Sequence, residues 1–111
     1  MILGAAGMIG QKLIEKLISL SSLNGVKINK LILFDVINTD HPKIDEISFL
    51  IKSGDLPKET VCKDLISQKP DIIFHLAAVV SGQAEKEFDL GWNVNAKGSW
   101  NLLRIYSFDR K

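Results

Sequence analysis

Three glycines spaced by three, Gly4-Ala5-Ala6-Gly7-Met8-Ile9-Gly10, follow a short apolar start and lead straight into an amphipathic stretch. No other feature limits the fold as much, because the chain must turn here from strand to helix within a few residues. Glycine lets the backbone turn sharply, approach a ligand closely and bring a helix against a strand. The N–H groups of Met8 and Ile9 would then face an anion, with the helix dipole behind them. That arrangement suits a pyrophosphate. Taken alone, the loop reads equally well as a tight strand-to-helix turn, and the rest of the chain has to decide.

The periodicity beyond the loop is that of an α/β protein. Gly10, Leu13, Ile14, Leu17 and Ile18 fall at i, i+3, i+4, i+7 and i+8, one face of a helix that the 21–25 segment ends. Leu31-Ile32-Leu33-Phe34 is a continuous apolar run, as in a strand covered on both faces. A polar connection with Asp40-His41-Pro42 leads to a weaker strand over 47–51, closed by Gly54-Asp55-Leu56-Pro57. Residues 58–69 read as a helix with Val61, Cys62, Leu65 and Ile66 on its stripe, stopped by Pro70. A fourth strand and its exit cover 71–78, and a long helix covers 88–106. The order β-α-β-β-α-β-α predicts a mostly parallel, doubly wound sheet of Rossmann type, of which 1–111 would be the N-terminal portion and one nucleotide-binding domain.

Composition excludes several classes of function. Fourteen basic and thirteen acidic side chains nearly cancel, so nothing favours nucleic acid or a membrane surface. The apolar stretch 72–80 is broken by His75 and too short to span a bilayer. The single Cys62 cannot pair within the chain, which fits a reducing cytoplasm. It reads as a packed core thiol rather than a reactive one. Two distant histidines and one cysteine make no metal site.

Several residues can carry chemistry. Asp35 ends the second strand, 25 residues past Gly10, where a carboxylate can accept both ribose hydroxyls of an adenosine. Val36 follows, and no adjacent cation would answer a 2′-phosphate, so NAD is expected over NADP. Asp55 can accept from an adenine amino group while Leu56 packs on the ring. It can equally cap the helix that starts near Pro57. Leu76, Ala77 and Ala78 are small or apolar at a strand exit, where open α/β sheets bind ligands. His75 in this strand is expected to be buried rather than a catalytic base. Phe88, Gly91, Trp92, Asn95, Gly98, Ser99, Leu102, Leu103 and Tyr106 share one face of the last helix. Asn95 would be its single buried amide, either tying the helix to a strand or standing near nicotinamide or a catalytic water. Asn93, Lys97, Trp100 and Arg104 lie opposite.

The segments Gly4–Gly10, Asp35, Gly54-Asp55-Leu56, His75-Leu76-Ala77-Ala78 and Asn95-Ala96-Lys97-Gly98-Ser99 stand in an order and at separations that resemble the extended short-chain dehydrogenase/reductases. These are also called the NAD-dependent epimerase/dehydratase family. The resemblance implies NAD as cofactor. It places Gly4, Gly7, Met8, Ile9 and Gly10 at the pyrophosphate, Asp35 at the ribose, and Asp55 with Leu56 at adenine. Leu76, Ala77 and Ala78 would line the nicotinamide side, and Asn95 would support the cofactor and the active site. Residues 79–85 with Phe88-Asp89-Leu90-Gly91 are more particularly similar to members that oxidise small sugar acids, which would turn Ser81 and Gln83 towards substrate. A nucleotide-sugar is the other substrate class, and a homodimer through the last helix is implied for the whole enzyme. A dinucleotide-binding module without catalysis is the reading from a different class.

Two departures bear on activity. The family uses a Tyr-x-x-x-Lys pair with an upstream Ser, in which the Tyr exchanges the proton. Tyr106 is followed four places on by Arg110, so the pair is missing from the chain. Only three residues precede Gly4, and Leu3 stands where the family usually has Thr. The chain is therefore expected to be a fragment, inactive by itself.

Overall fold

The structure, a computed structural model, describes residues 1–78 and 81–109. The chain divides into two compact units, residues 1–53 with 72–76, and residues 54–71 with 77–111.

The first unit is built on a four-stranded parallel sheet. Its strands are β1 (Ile2–Leu3), β4 (Lys30–Asp35), β5 (Ser48–Ser53) and β6 (Phe74–His75), in the order β5-β4-β1-β6. Numbered by sequence within the sheet, this is 3-2-1-4, the order of the first half of a dinucleotide-binding sheet. The order reverses at β1, so the chain leaving β1 emerges at a topological switch point, where such sheets bind ligands. β1 is only two residues long, yet it is held on both sides. Ile2 and Leu3 pair with Leu33 and Phe34 on one edge and with Phe74 and His75 on the other, and both are fully buried. Phe74 N–H donates to Met1 O at 2.9 Å and Leu76 N–H to Leu3 O at 2.8 Å.

Helix α1 (Met8–Leu20) packs its stripe on this sheet. Ile14 and Leu17 are buried with Ile2, Ala5, Leu31, Leu33 and Ile47, and Leu13 and Ile18 pack at the margin. The apolar run of β4 is buried throughout from Leu31 to Phe34, as its composition requires. α1 ends at Ser21 in the left-handed conformation, with the Ser21 N–H on Leu17 O. A small hairpin follows, β2 (Ser22–Leu23) against β3 (Val26–Lys27), turned by Asn24 and Gly25, both at positive φ. An Asn-Gly pair supplies such a turn at little strain. The connection from β4 to β5 contains no helix, only a bridge between Ile44 and Ile47.

The second unit is helical. α2 (Glu59–Ser67) buries Cys62, Leu65 and Ile66 and packs against α5 (Ser99–Asp109), where Leu102 is buried. Between them in sequence lie α3 (Ser81–Lys86), α4 (Phe88–Gly91) and a seven-residue π-helical segment (Trp92–Gly98) continuous with α5. Gly91 is where α4 meets α3, since a Cβ there would stand 2.7 Å from the Ala84 methyl. Among the described residues, no helix is long and apolar enough to cross a membrane.

Candidate nucleotide-binding site

The glycine loop leaves β1 and folds back on β4. Gly4 and Ala5 both donate their N–H to Phe34 O, at 2.9 and 3.0 Å. The three glycines are not equivalent. Gly4 has φ +90°, a conformation that other residues adopt only with strain. A Cβ on Gly10 would overlap the Gly4 carbonyl oxygen and come within 2.9 Å of Ala5 Cα, so this glycine lets α1 start against the strand exit. At Gly7 the nearest atom to a Cβ lies 3.4 Å away, an ordinary contact. Gly7 instead marks the start of α1, with Gln11 N–H donating to its carbonyl at 2.9 Å. Met8, Ile9 and Gly10 are then the first-turn residues, whose N–H groups have no acceptor within the helix. Met8 and Ile9 carry 78% and 66% exposed side chains, so the helix start is open to solvent.

Asp35 closes this site from β4. Its Oδ2 accepts the Ala6 N–H at 2.9 Å and its Oδ1 accepts the Val36 N–H at 2.7 Å. A carboxylate has about four lone-pair sites, so both oxygens keep capacity for hydroxyl donors. The contact to Ala6 joins the glycine loop to the strand exit, and sequence spacing alone could not establish it. Val36 and Ile37, just beyond, are exposed apolar side chains. The cradle that a Cβ would fill, the free first-turn N–H groups and the adjoining carboxylate together form a donor and acceptor set that fits a dinucleotide. Leu76 follows β6 and is 37% exposed. His75 is half-buried, and burial holds its imidazole below the ordinary 6.5, so it is neutral near pH 7.

The remaining expected residues lie in the second unit. Asp55 is exposed on the turn before α2. Its side chain does not cap that helix. The residue preceding it is Lys58, without a side-chain cap, and Asp55 contributes only its carbonyl, accepting the Lys58 N–H at 3.1 Å. Leu56 is buried at 4% exposure, so no open side-chain face stands ready for a ring. Cys62 is a buried free thiol donating to Leu56 O at 3.2 Å, and burial pushes its pKa up to about 11, with the Glu59 charge adding to the effect. Ala77 is half-buried and Ala78 exposed. Gln83 Nε2 donates to Glu87 Oε2 at 3.1 Å on the exposed side of α3. The side chain of Ser81 lies outside the described residues.

Asn95 is not the buried amide of the last helix. It is exposed, as are Phe88, Trp92 and Leu103, and the buried face is formed by Gly91, Gly98, Asn101 and Leu102. The π segment, Trp92–Gly98, interrupts the 3.6-residue period with i→i+5 bonding, so Gly91, Gly98 and Leu102 of the expected face stay buried while Asn95, within the segment, turns outward. The amide that sequence reasoning missed is Asn101, only 8% exposed, whose Nδ2 donates to Pro57 O at 2.9 Å. Asn93, Lys97 and Trp100 are exposed as expected, but Arg104 pairs with Glu59 at 3.1 Å.

A parallel sheet in the order 3-2-1-4, a glycine loop opening a helix at its switch point and an acidic residue ending the next strand define a Rossmann-like nucleotide-binding protein. More narrowly, the chain belongs to the NAD dependent epimerase/dehydratase family, whose model matches residues 1–107. NAD is the cofactor of that family. The D-erythronate dehydrogenase of Cupriavidus necator is 39% identical over 107 residues, covering 93% of this chain and 32% of that protein. The nucleoside-diphosphate-sugar epimerase of Agrobacterium tumefaciens superposes with a TM-score of 0.89 at 38% identity, over 94% of this chain and 30% of the other. The UDP-glucose 4-epimerase of Thermus thermophilus, solved in complex with NAD, shares the fold at a TM-score of 0.67 and 23% identity, over 94% of this chain and 32% of the other. The chain thus spans about a third of the length of the relatives it matches.

Proposed function

We propose that this chain is the NAD-binding part of an oxidoreductase that oxidises a small sugar acid of the D-erythronate type. The observation that carries the cofactor reading is the closure of the glycine loop on Asp35, through the Ala6 N–H. Residues 1–111 act as one dinucleotide-binding domain. The N–H groups of Met8 and Ile9 hold the pyrophosphate, with Gly4, Gly7 and Gly10 admitting it. Asp35 accepts the ribose hydroxyls and disfavours a 2′-phosphate. Asp55 serves adenine through its exposed carboxylate, and Leu76, Ala77 and Ala78 line the nicotinamide side. Asn95 supports cofactor and active site from its exposed position, and Ser81 and Gln83 face the substrate. Bound NAD supplies the acceptor for a hydride from a carbinol carbon.

The sugar-acid reading rests on the 39% identity to the Cupriavidus dehydrogenase. A second reading, a nucleotide-sugar epimerase, is favoured by the fit to the Agrobacterium protein. Absorbance of reduced nicotinamide separates the two in the enzyme that contains this chain. D-erythronate with NAD is expected to give steady NADH formation. Epimerisation of a UDP-sugar without net NADH would favour the second reading. The 111-residue chain alone is expected to give no turnover, since it carries no Tyr-x-x-x-Lys pair, and general acid–base catalysis typically contributes about 10²–10⁴-fold.

A further inference from the structure

Each carbonyl of the turn that carries Asp55 accepts a hydrogen bond, two of them from the interior. Asp55 O accepts the Lys58 N–H at 3.1 Å, Leu56 O accepts the Cys62 thiol at 3.2 Å, and Pro57 O accepts Asn101 Nδ2 at 2.9 Å. The first bond is internal to the turn. The other two come from side chains buried in α2 and α5, Cys62 at 0% exposure and Asn101 at 8%. Gly98, a turn before Asn101, lies beside this turn, where a Cβ on it would stand in ordinary contact, 3.6 Å, with Leu56 Cγ and Pro57 N. Burying an amide is costly unless its partner is fixed, and this amide reaches a partner 44 residues away in the sequence. The Asp55 carboxylate itself faces solvent and accepts no hydrogen bond among the described residues. An exposed carboxylate without partners stands on a backbone fixed from beneath, as a preorganised ligand contact requires.

We propose that Asn101 and Cys62 are positioning residues, which set the backbone of residues 55–57 so that the Asp55 carboxylate meets the amino group of the adenine ring. The proposal rests on the reading of Asp55 as an adenine contact. The thiol stays protonated, and so stays a donor, throughout the neutral range.

The test compares NAD with its deamino analogue, which carries hypoxanthine and so lacks the adenine amino group, by calorimetric titration of the chain. Wild type is expected to prefer NAD, and Asp55→Ala to erase the preference. Cys62→Ala and Asn101→Asp, which cannot donate to the turn, are expected to reduce the preference about threefold or more, the range of one hydrogen bond. Cys62→Ser, which restores a donor, is expected to retain it. A general loss of stability would weaken both ligands alike and leave the ratio unmoved. Should Asn101→Asp fail to fold, the Ala and Ser variants of Cys62 decide. An unchanged ratio in Cys62→Ala, with Asp55→Ala erasing it, overturns the positioning role and leaves the Asp55 contact standing. No preference in wild type, or a preference that survives Asp55→Ala, removes Asp55 from the adenine site and the proposal with it.

Discussion

Gly10 and Gly7 differ in what surrounds them, and the difference can be measured. A methyl at Gly10 meets backbone atoms of Gly4 and Ala5, which cannot step aside without moving α1 from the strand exit. Gly10→Ala is expected to cost about 1–3 kcal/mol, the usual range for overpacking. Gly7→Ala meets nothing closer than 3.4 Å and is expected to cost less than about 1 kcal/mol. Urea midpoints of the two variants check the order. His75 gives a second test. Its folded pKa lies below 6.5 because burial disfavours the charged ring, so the unfolded chain takes up a proton first as pH falls. Stability is then complete above about pH 7 and declines through 6.5 towards the folded pKa. The melting temperature is expected to drop between pH 7 and 5, with the drop diminished in His75→Gln. Cys62, fully buried and with its pKa raised, is expected to resist a thiol reagent at pH 8 until the chain is denatured.

At the scale of elements, legibility followed local periodicity. The stripe of α1 and the buried run of β4 could be read because one regular period governs each. The stripe of α2 was legible for the same reason, although Val61 proves only half-buried beside Cys62, Leu65 and Ile66. The last helix was legible in extent, but its face was not. The π segment changes the period within it, and nothing in the sequence 92–98 announces an i→i+5 turn. Hence Asn95 was expected inside and Asn101 was not. The β2–β3 hairpin did carry a signal, Asn24-Gly25, but runs of two residues show no alternation to accompany it. Gly25 has φ +77° and open space around it. Gly25→Ala is therefore expected to cost about 1–2 kcal/mol through backbone strain alone, while Asn24→Gly, which accepts the same turn, is expected to cost much less. Thermal melts distinguish the pair.

The whole molecule joins a parallel 3-2-1-4 sheet to a helical unit, and its sequence matches its family from residue 1 to residue 107. The sheet was predictable from element order, and so was the helix-free polar connection from β4 to β5, but the bridge between Ile44 and Ile47 within it was not, because its residues carry neither period. Trp100 is 65% exposed on α5, and a large exposed aromatic favours a protein partner. A homodimer through this helix, the arrangement that the family resemblance implies for a longer protein carrying this segment, predicts that Trp100→Ala weakens self-association, seen as a lower sedimentation coefficient on dilution. An unchanged profile would count against that dimer.

On the proposed reading, cofactor choice turns most directly on Asp35, whose carboxylate joins the glycine loop to β4 and is followed by Val36 rather than a cation. Calorimetric titration of the chain with NAD and NADP, repeated on Asp35→Ala, reads that dependence. Tighter binding of NAD is expected, with the preference lost and the NAD affinity reduced in Asp35→Ala. Equal or tighter binding of NADP by the wild-type chain, or an NAD affinity indifferent to Asp35, would contradict the assignment of this loop and carboxylate as the NAD site.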